Sequence, residues 1–342
     1  MSNAVNRRVV LAARPKGEPK PSDFRLDEAP VPNPGDGEML CRTIHLSLDP
    51  YMRGRMNEGA SYANPVPIDG VMEGGTVSRV EASNLEGYAA GDIVVGRAGW
   101  QDFAISNGEG MRKVDPSIAP ISTALGVLGM PGMTAYTGLL TLGQPKEGET
   151  VAVAAASGAV GSAVGQIAKI KGCRAVGIAG GPDKCAFVTD ELGFDACIDH
   201  RDPDFADKLK AACPDGIDVY FENVGGPVLE AVIPLMNMWG RIPVCGMIAH
   251  YNDRGPGPGP NMLPTMMMRI LVNRLTLRGF IVSDFADQGA DFLRDVSGWM
   301  RDGEMKYRED FIDGLENAPE GLIGLLKGKN FGKLVVRISD ES

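Results

Sequence analysis

One short segment, residues 151–162, restricts the possible folds of this chain more than any other. It reads Val-Ala-Val-Ala-Ala-Ala-Ser-Gly-Ala-Val-Gly-Ser, an apolar run that breaks into small residues and then opens a helical pattern. Ala156, Gly158 and Gly161 occupy the three positions of a G-x-G-x-x-G fingerprint, with Ala in place of the first Gly. Small residues there permit a tight strand-to-helix turn and bring backbone N–H groups to a pyrophosphate. The segment predicts a dinucleotide site, although a tight turn that binds no nucleotide has the same pattern.

The middle of the chain, from residue 148 to residue 304, alternates strand-like and helical patterns. Strand-like runs begin near Val151, Arg174, Ala196, Ile217, Arg241 and Leu275. Helical patterns lie between them at residues 205–212, 228–236 and 262–271. Repeated strand–helix units form a parallel sheet covered on both faces, and this number of strands suits a complete dinucleotide-binding domain. We assign residues 126–304 to a doubly wound Rossmann domain.

The rest of the chain reads as β-rich. Short apolar stretches at residues 39–44, 75–80 and 92–96 alternate with turn residues. A further strand-like run at residues 331–338 either adds a seventh strand to the doubly wound sheet or returns to the first domain. We favour the return of this run to the first domain, because the Rossmann domain already has its full number of strands. The expected fold class is α/β, with a second, β-rich domain formed by residues 1–125 and 305–342.

Composition excludes several classes of function. The net charge of −10, with no concentrated basic stretch, argues against a nucleic-acid partner. No run approaches the ~20 apolar residues of a membrane span, and residues 9–13 are too short for the apolar part of a signal peptide.

The six Cys lack a C-x-x-C pair and are expected as reduced thiols in a cytoplasmic protein. The three His and six Cys show no zinc spacing, so we expect no metal.

The choice between cofactors depends on the end of the second strand-like run. An NAD site usually has an acid about 20 residues past the fingerprint, where it binds the adenosine ribose. Residues 176–180 contain no acid, and Gly180 and Gly181 leave room for a 2′-phosphate that Lys184 could pair. This pattern favours NADP. Asp183 in the NAD role, or Lys184 as an ordinary solvated side chain, is the alternative.

Two tyrosines are candidate catalytic residues. Tyr251 follows the fifth strand-like run, where the carboxyl ends of parallel strands form a cofactor crevice, and it is either a proton donor or a half-buried structural residue. Tyr51 lies in residues 46–56, a stretch rich in Met and Arg that forms either an adaptable apolar wall or a packed loop. The Gly/Pro repeat at residues 254–260 is expected to act as a partial lid on the substrate.

Several blocks, spread in order along nearly the whole chain, match one known family. They are residues 46–56, 129–138, 156–172, 177–181 with Lys184, 220–226, 241–247 with Tyr251 and Asn252, 278–282 and 324–333. With these motifs the chain resembles the zinc-independent medium-chain dehydrogenase/reductases, in the branch of the prostaglandin/leukotriene reductases and the plant alkenal double-bond reductases. Among them it is similar to the bacterial NADPH-dependent curcumin reductases.

The resemblance implies a GroES-like domain into which a Rossmann domain is inserted, and a homodimer. It implies NADPH-dependent reduction of a C=C bond conjugated to the carbonyl of a small apolar enone or alkenal. Hydride goes to the β-carbon and negative charge appears on the carbonyl oxygen, which a hydrogen-bond donor must stabilise. The matching phenols are Tyr251 and, second, Tyr51. Two rivals share the fold: an NADPH:quinone reductase and a non-catalytic NADPH-binding protein.

The resemblance also implies the cofactor contacts. Ala159 and Val160 would hold the pyrophosphate, and Gly180 and Lys184 the 2′-phosphate. His200 stands where mammalian members have a Tyr near the adenosine. The remaining contacts are expected along the cofactor and at its nicotinamide end: Asn223, Cys245, Gly246, Met247, Tyr251, Phe280, Ile281, Val282 and Asn330.

Overall fold

A computed structural model describes residues 5–59, 61–253 and 261–341 of the chain. It divides into two compact units. The first combines Met1–Leu125 with Glu309–Ser342, and the second is the continuous segment Gly126–Arg308. Within the described residues no helix is long and apolar enough to cross a membrane. The Gly/Pro repeat at 254–260, expected as a lid, lies outside the described residues.

The amino-terminal part of the first unit is mostly β-structure. Its elements are β1 (Val5–Leu11), β2 (Phe24–Pro30), β3 (Met39–Ser47), α1 (Met52–Arg55), β4 (Thr76–Ser83), β5 (Ile93–Gly96), β6 (Phe103–Ser106) and β7 (Arg112–Lys113). β1 pairs with β2 in a separate antiparallel ribbon. β3 is the centre of the larger sheet, because it pairs antiparallel with both β4 and β6.

The second unit alternates strands and helices. Its elements are α2 (Met130–Thr137), β8 (Thr150–Ala154), α3 (Ala159–Ile170), β9 (Arg174–Ala179), α4 (Pro182–Ala186), β10 (Ala196–Asp199), α5 (Phe205–Ala212), β11 (Ile217–Phe221), α6 (Gly226–Val232), β12 (Met236–Val244), α7 (Leu263–Asn273), β13 (Thr276–Gly279) and α8 (Gly289–Arg301). The chain then returns to the first unit with β14 (Glu309–Asp313), α9 (Ala318–Leu326) and β15 (Lys333–Arg337).

The second unit is a doubly wound parallel sheet. Its strand order is β10-β9-β8-β11-β12-β13, so the order reverses between β8 and β11, where such sheets bind their ligands. β8 is buried at all of its positions, as expected for a strand covered on both faces. The tail strand β15 pairs with β3 of the first unit and not with this sheet. The predicted α/β class, a β-rich part plus a Rossmann sheet, is confirmed.

One predicted helix was placed too far along the chain. The sequence pattern indicated a helix at residues 228–236, whereas α6 spans Gly226–Val232 and Met236 already begins β12. Pro234 explains the difference: its ring removes a backbone N–H and clashes with the preceding turn, so the helix ends and a short 3₁₀ turn, Ile233–Leu235, follows.

Candidate active site

The fingerprint turn joins β8 to α3 through unusually close backbone packing. Ala155 takes a left-handed conformation, with φ +54°, directly after the strand. A Cβ added at Gly161 would lie 2.3 Å from the Ala155 carbonyl oxygen, so only Gly fits there. α3 begins at Ala159 and Val160, whose N–H groups lie in the first turn, where no earlier helical carbonyl accepts them. The turn therefore presents backbone donors and the positive end of a helix dipole to an anion.

A basic cluster surrounds the carboxyl ends of β9 and β10. A Cβ added at Gly180 would lie 2.9 Å from His200 Nε2 and 3.1 Å from Arg201 Nε, so the absence of a side chain lets the imidazole and the guanidinium approach this backbone closely. Burial, then the nearby Arg201 charge, lowers the pKa of His200, and Lys184 adds a smaller effect in the same direction. Lys184, His200 and Arg201 thus form a cradle in which the charges of Lys184 and Arg201 match that of a phosphate.

The acid nearest to this cradle is engaged by the backbone. Asp199 Oδ1 accepts hydrogen bonds from the N–H groups of Gly181 and Arg201, each at 2.9 Å. Gly181 has φ +98°, a conformation that L side chains rarely adopt, and this turn directs α4 away from the strand. Asp183, the alternative partner for a ribose, is an exposed residue of α4. The Asp199 carboxylate therefore shapes the cradle.

A buried glutamate organises the loops that follow β11 and β12. Glu222 Oε1 accepts hydrogen bonds from the N–H groups of Val224 and Gly225. Its backbone oxygen accepts from the N–H groups of Cys245, at 2.9 Å, and Gly246, at 3.1 Å. Burial raises the pKa of Glu222 above the usual range of a carboxyl group. Its contacts hold the ends of two neighbouring strands together.

These loops lie beside the fingerprint strand. Asn223 Nδ2 donates to the backbone oxygen of Ala154, the last residue of β8, at 2.8 Å. Asn223 also accepts the N–H of Ile248 through its own backbone oxygen, at 3.2 Å. The structure therefore brings Asn223 and the Cys245–Met247 segment together at the switch point of the sheet.

Tyr251 folds back onto the same segment. It follows a 3₁₀ turn, Ile248–His250, and is half-buried. Its hydroxyl oxygen accepts the N–H of Met247 at 3.4 Å, and a Cβ added at Gly246 would lie 2.9 Å from that oxygen. The phenol oxygen is thus placed at the carboxyl end of β12, among the predicted cofactor contacts.

Phe280 is wedged at the end of β13. Its ring packs edge-on against Phe221 and Phe285, with centroids 6.2 Å and 6.1 Å apart. A Cβ added at Gly138 would lie 2.6 Å from Phe280 Cζ, so this contact requires Gly. Ile281 and Val282, which follow Phe280, are half-buried.

In the first unit, Tyr51 directly precedes α1 in a mainly buried setting. Burial, and then the negative charge of Asp49, raises the pKa of its phenol. The Arg55 guanidinium lies 5.6 Å from its ring centroid. Asp49 is held by Lys333, whose buried Nζ lies 3.2 Å from Asp49 Oδ1 and donates to the backbone oxygen of Leu48 at 2.8 Å.

Asn330 belongs to the first unit as well. It is half-buried just before β15, and its Nδ2 donates to the backbone oxygen of Gly332 at 2.8 Å. The predicted site residues therefore form two sets. Tyr51 and Asn330 lie in the first unit, and the others lie along the carboxyl edge of the parallel sheet in the second.

Family models and individual relatives match both units. A model described as the N-terminal domain of oxidoreductase matches residues 7–114. Another, described as zinc-binding dehydrogenase, matches residues 159–297. The NADPH-dependent curcumin reductase of Escherichia coli (strain K12) is 55% identical over 337 residues, covering 98% of each chain. The chain belongs to the medium-chain dehydrogenase/reductase family.

Two further members of the medium-chain dehydrogenase/reductase family are similar over nearly their whole length. The NADP(+)-dependent 2-alkenal reductase of Nicotiana tabacum is 40% identical over 347 residues, covering 98% of each chain. The crystal structure of CurA from Vibrio vulnificus in complex with NADPH has a TM-score of 0.94 at 53% identity, covering 98% of this chain and 99% of that one. The resemblance predicted from the motifs is confirmed.

One of the two family models that match this chain is described as zinc-binding dehydrogenase. Across residues 5–59, 61–253 and 261–341, no group of three or more His, Cys, Asp or Glu side chains could hold a metal ion. The residues that the structure describes therefore do not fit a zinc centre, and we derive no step through one.

Sequence reasoning missed two residues at this site of the medium-chain dehydrogenase/reductase. Arg201 was not singled out, although it follows His200 directly and its guanidinium lies beside Gly180. Glu222 was not singled out either, although an acid at the end of a buried apolar run is itself unusual. Both could have been found by asking which charged residues end parallel strands.

Proposed function

We propose that this chain reduces the C=C bond of α,β-unsaturated aldehydes and ketones with NADPH, as an enone or alkenal reductase. One observation carries the proposal: two reductases named for curcumin and for 2-alkenals match the chain over nearly their full lengths. The match includes both the β-rich unit and the parallel-sheet unit, so it extends beyond the nucleotide fold that many dehydrogenases share. Small apolar carbonyl compounds are the expected substrates.

The second unit fits NADPH at two ends. The first-turn N–H groups of Ala159 and Val160 would hold the pyrophosphate. The cradle of Lys184, His200 and Arg201 would hold the 2′-phosphate. The other proposed contacts are Asn223, Cys245, Gly246, Met247, Tyr251, Phe280, Ile281, Val282 and, from the first unit, Asn330.

NADPH, when bound, supplies the hydride for the β-carbon of the substrate. The task of this chain is to stabilise the negative charge that then develops on the carbonyl oxygen. Tyr251 accepts the Met247 N–H through its hydroxyl oxygen, and a phenol is also a hydrogen-bond donor, the kind of group that the substrate oxygen requires. Such a fixed donor strengthens its bond as charge grows, which favours the transition state over the bound substrate. Tyr51 is the second candidate donor.

We assign the catalytic role to a GroES-like domain, residues 1–125 and 305–342, together with a Rossmann domain, residues 126–304. We also propose that the protein acts in the cytoplasm. Each of its six cysteines is a free thiol, which suits a reducing compartment.

A homodimer is part of the proposal. α7 exposes Leu263, Met267, Met268, Leu271 and Val272, and Leu271 is 71% exposed. Trp239 of β12 is 63% exposed, and its ring centroid lies 5.1 Å from the guanidinium of Arg274, which directly follows α7. β13 stands at the end of the sheet order. Because an apolar patch beside a sheet edge is what isologous dimers bury, a second copy of the chain is its expected partner.

We expect activity without a metal ion. Dialysis against a strong chelator should leave turnover unchanged, and elemental analysis should find no stoichiometric zinc. Stoichiometric zinc whose removal abolishes turnover would overturn this part of the proposal.

The function is tested by following NADPH oxidation with a panel of alkenals, enones and quinones. Reduction of the C=C bond, identified by mass spectrometry of the product, is the expected result. Turnover on quinones without turnover on enones would favour an NADPH:quinone reductase. Tight NADPH binding with no turnover on the whole panel would favour a non-catalytic NADPH-binding protein.

A further inference from the structure

Two cysteines close in sequence to the basic cradle share a side-chain hydrogen bond. Cys185 lies on α4 and Cys197 on β10, and α4 packs against both β9 and β10. Gly177 of β9 is the register partner of Cys197. A Cβ added at Gly177 would lie 3.2 Å from Cys197 Sγ and 2.9 Å from Val188 Cγ1, which follows α4. The missing side chain therefore gives the Cys197 sulfur room on the face that α4 covers.

The two thiols differ in character. A hydrogen bond from Cys197 lowers the pKa of Cys185, and the backbone of Ala179 contributes in the same direction. The same thiol–thiol contact, followed by burial, raises the pKa of Cys197. Both side chains are only partly buried, and both are free thiols. Burial and the charge of Asp199 oppose the lowering of the Cys185 pKa, so the hydrogen bond from Cys197 is what favours Cys185 as the thiol of the pair that loses its proton first.

We propose that Cys185 and Cys197 form a reversible oxidation site whose oxidant is a hydroperoxide. The Cys185 thiolate attacks the peroxide, the O–O bond breaks, and hydroxide leaves and is protonated to water; Cys185 becomes a sulfenic acid. The Cys197 sulfur then attacks the Cys185 sulfur, and the sulfenic oxygen leaves as a second water. Two thiols are oxidised by two electrons to one disulfide, and one hydrogen peroxide is reduced to two waters.

The position of the pair connects its oxidation to the cofactor. Lys184 precedes Cys185 on α4, and Ala179, whose backbone contacts the Cys185 thiol, precedes Gly180. A disulfide would bind α4 covalently to β10 and draw Lys184 out of its present position. This consequence rests on the proposed role of Lys184 at the 2′-phosphate. Loss of one charge-assisted contact predicts a rise of about tenfold in the KM for NADPH, with a smaller change in kcat and in the KM for NADH.

The experiment uses the full-length protein treated with hydrogen peroxide. Peptide mapping should find a Cys185–Cys197 disulfide, intact mass should fall by two hydrogens, and dithiothreitol should reverse both changes and the rise in KM. Cys185→Ser and Cys197→Ser should each prevent the disulfide, and Cys197→Ser should leave a sulfenic acid at Cys185 that dimedone traps. Cys213→Ser, at a buried thiol that ends α5, is the matched control and should oxidise like the parent.

The possible outcomes distinguish the oxidation site itself from its proposed effect on NADPH binding. Absence of the Cys185–Cys197 peptide after peroxide treatment, with intact folding by circular dichroism, rejects the oxidation site whatever the cofactor. A disulfide that leaves the KM for NADPH unchanged rejects its connection to the cradle. Equal use of NADPH and NADH by the reduced protein contradicts the proposed role of Lys184, while the disulfide mapping still decides the oxidation site.

Discussion

At the scale of single residues, the two candidate phenols have different surroundings. The Tyr251 oxygen is fixed by a backbone N–H at the end of β12, among the proposed cofactor contacts. The Tyr51 phenol lies near the negative charge of Asp49, and its pKa is raised by burial and by that charge. A raised pKa makes a phenol a weaker donor to a developing enolate. The comparison favours Tyr251 as the main stabiliser.

Replacing Tyr251 with Phe removes the hydroxyl and keeps the ring. We expect kcat on enones to fall at least about tenfold, because one lost donor to a developing oxyanion typically costs ~10²–10³ and Tyr51 can share the task. The KM for NADPH should change little. Tyr88→Phe, at a half-buried tyrosine of the first unit whose hydroxyl donates to the backbone oxygen of Met111, is the control and should keep parental kinetics.

The same measurement on Tyr51→Phe and on the double variant decides which of the two tyrosines is the donor. Parental turnover in Tyr251→Phe together with a large loss in Tyr51→Phe would move the donor to Tyr51. Unchanged turnover in the double variant would remove phenols from the mechanism.

Lys184→Ala tests the basic cradle. A charge-assisted contact to phosphate contributes ~1.5–3 kcal/mol, so the KM for NADPH should rise about tenfold to a hundredfold. The KM for NADH should stay nearly the same, because NADH lacks the 2′-phosphate. Lys210→Ala, on the exposed face of α5, is the control. A parental enzyme that uses both cofactors equally would contradict the assignment.

At the scale of elements, the close approach of α3 to the turn after β8 depends on the absence of a Cβ atom at Gly161. A Cβ at Gly161 would meet the Ala155 carbonyl oxygen at 2.3 Å, so Gly161→Ala must push the helix away from the turn. Overpacking of this kind typically costs ~1–3 kcal/mol. We expect a lower denaturation midpoint and a higher KM for NADPH.

The matched control is Gly289→Ala. Gly289 begins α8, and a Cβ there meets no atom within 4 Å. Its denaturation midpoint should stay the same or rise slightly, since Ala favours helix more than Gly does by up to ~1 kcal/mol. A Gly161→Ala variant as stable and as active as the parent would show that the turn tolerates a methyl group.

The elements that could be predicted are those whose sequence determinants lie in consecutive residues. The run from Val151 to Ser162 contains strand, turn and helix start together, and the structure has all three in that order. The helix end before Pro234 is also encoded locally, because a proline ring cannot continue the helix. The roles of Arg201 and Glu222 could not be read in this way. Each depends on which strands become neighbours, and register between distant segments is set by packing of the whole sheet.

At the scale of the whole molecule, the apolar surface on α7 is the feature that most affects assembly. Leu271→Asp places a charge at its most exposed apolar position. Burying one Leu contributes ~1.5–3 kcal/mol, and a two-fold interface contains it twice, so the dimer dissociation constant should rise at least about a hundredfold. Sedimentation velocity over a range of protein concentrations measures this dissociation constant.

The control is Leu26→Asp, an exposed Leu on β2 in the first unit, which should sediment like the parent. A parental protein that is monomeric at micromolar concentration would contradict the dimer. An unchanged dimer in Leu271→Asp would place the interface elsewhere.

The return of the tail to the first unit has a consequence for synthesis on the ribosome. β3 emerges early, yet its neighbour β15 begins only at Lys333, after the entire segment Gly126–Arg308 has been translated. Until then the nascent β-rich unit has an open sheet edge and an Asp49 carboxylate without its buried ammonium partner. The continuous second unit can fold while the first still waits. In each new molecule, the nucleotide-binding half is therefore ready before the half that contributes Tyr51 is complete.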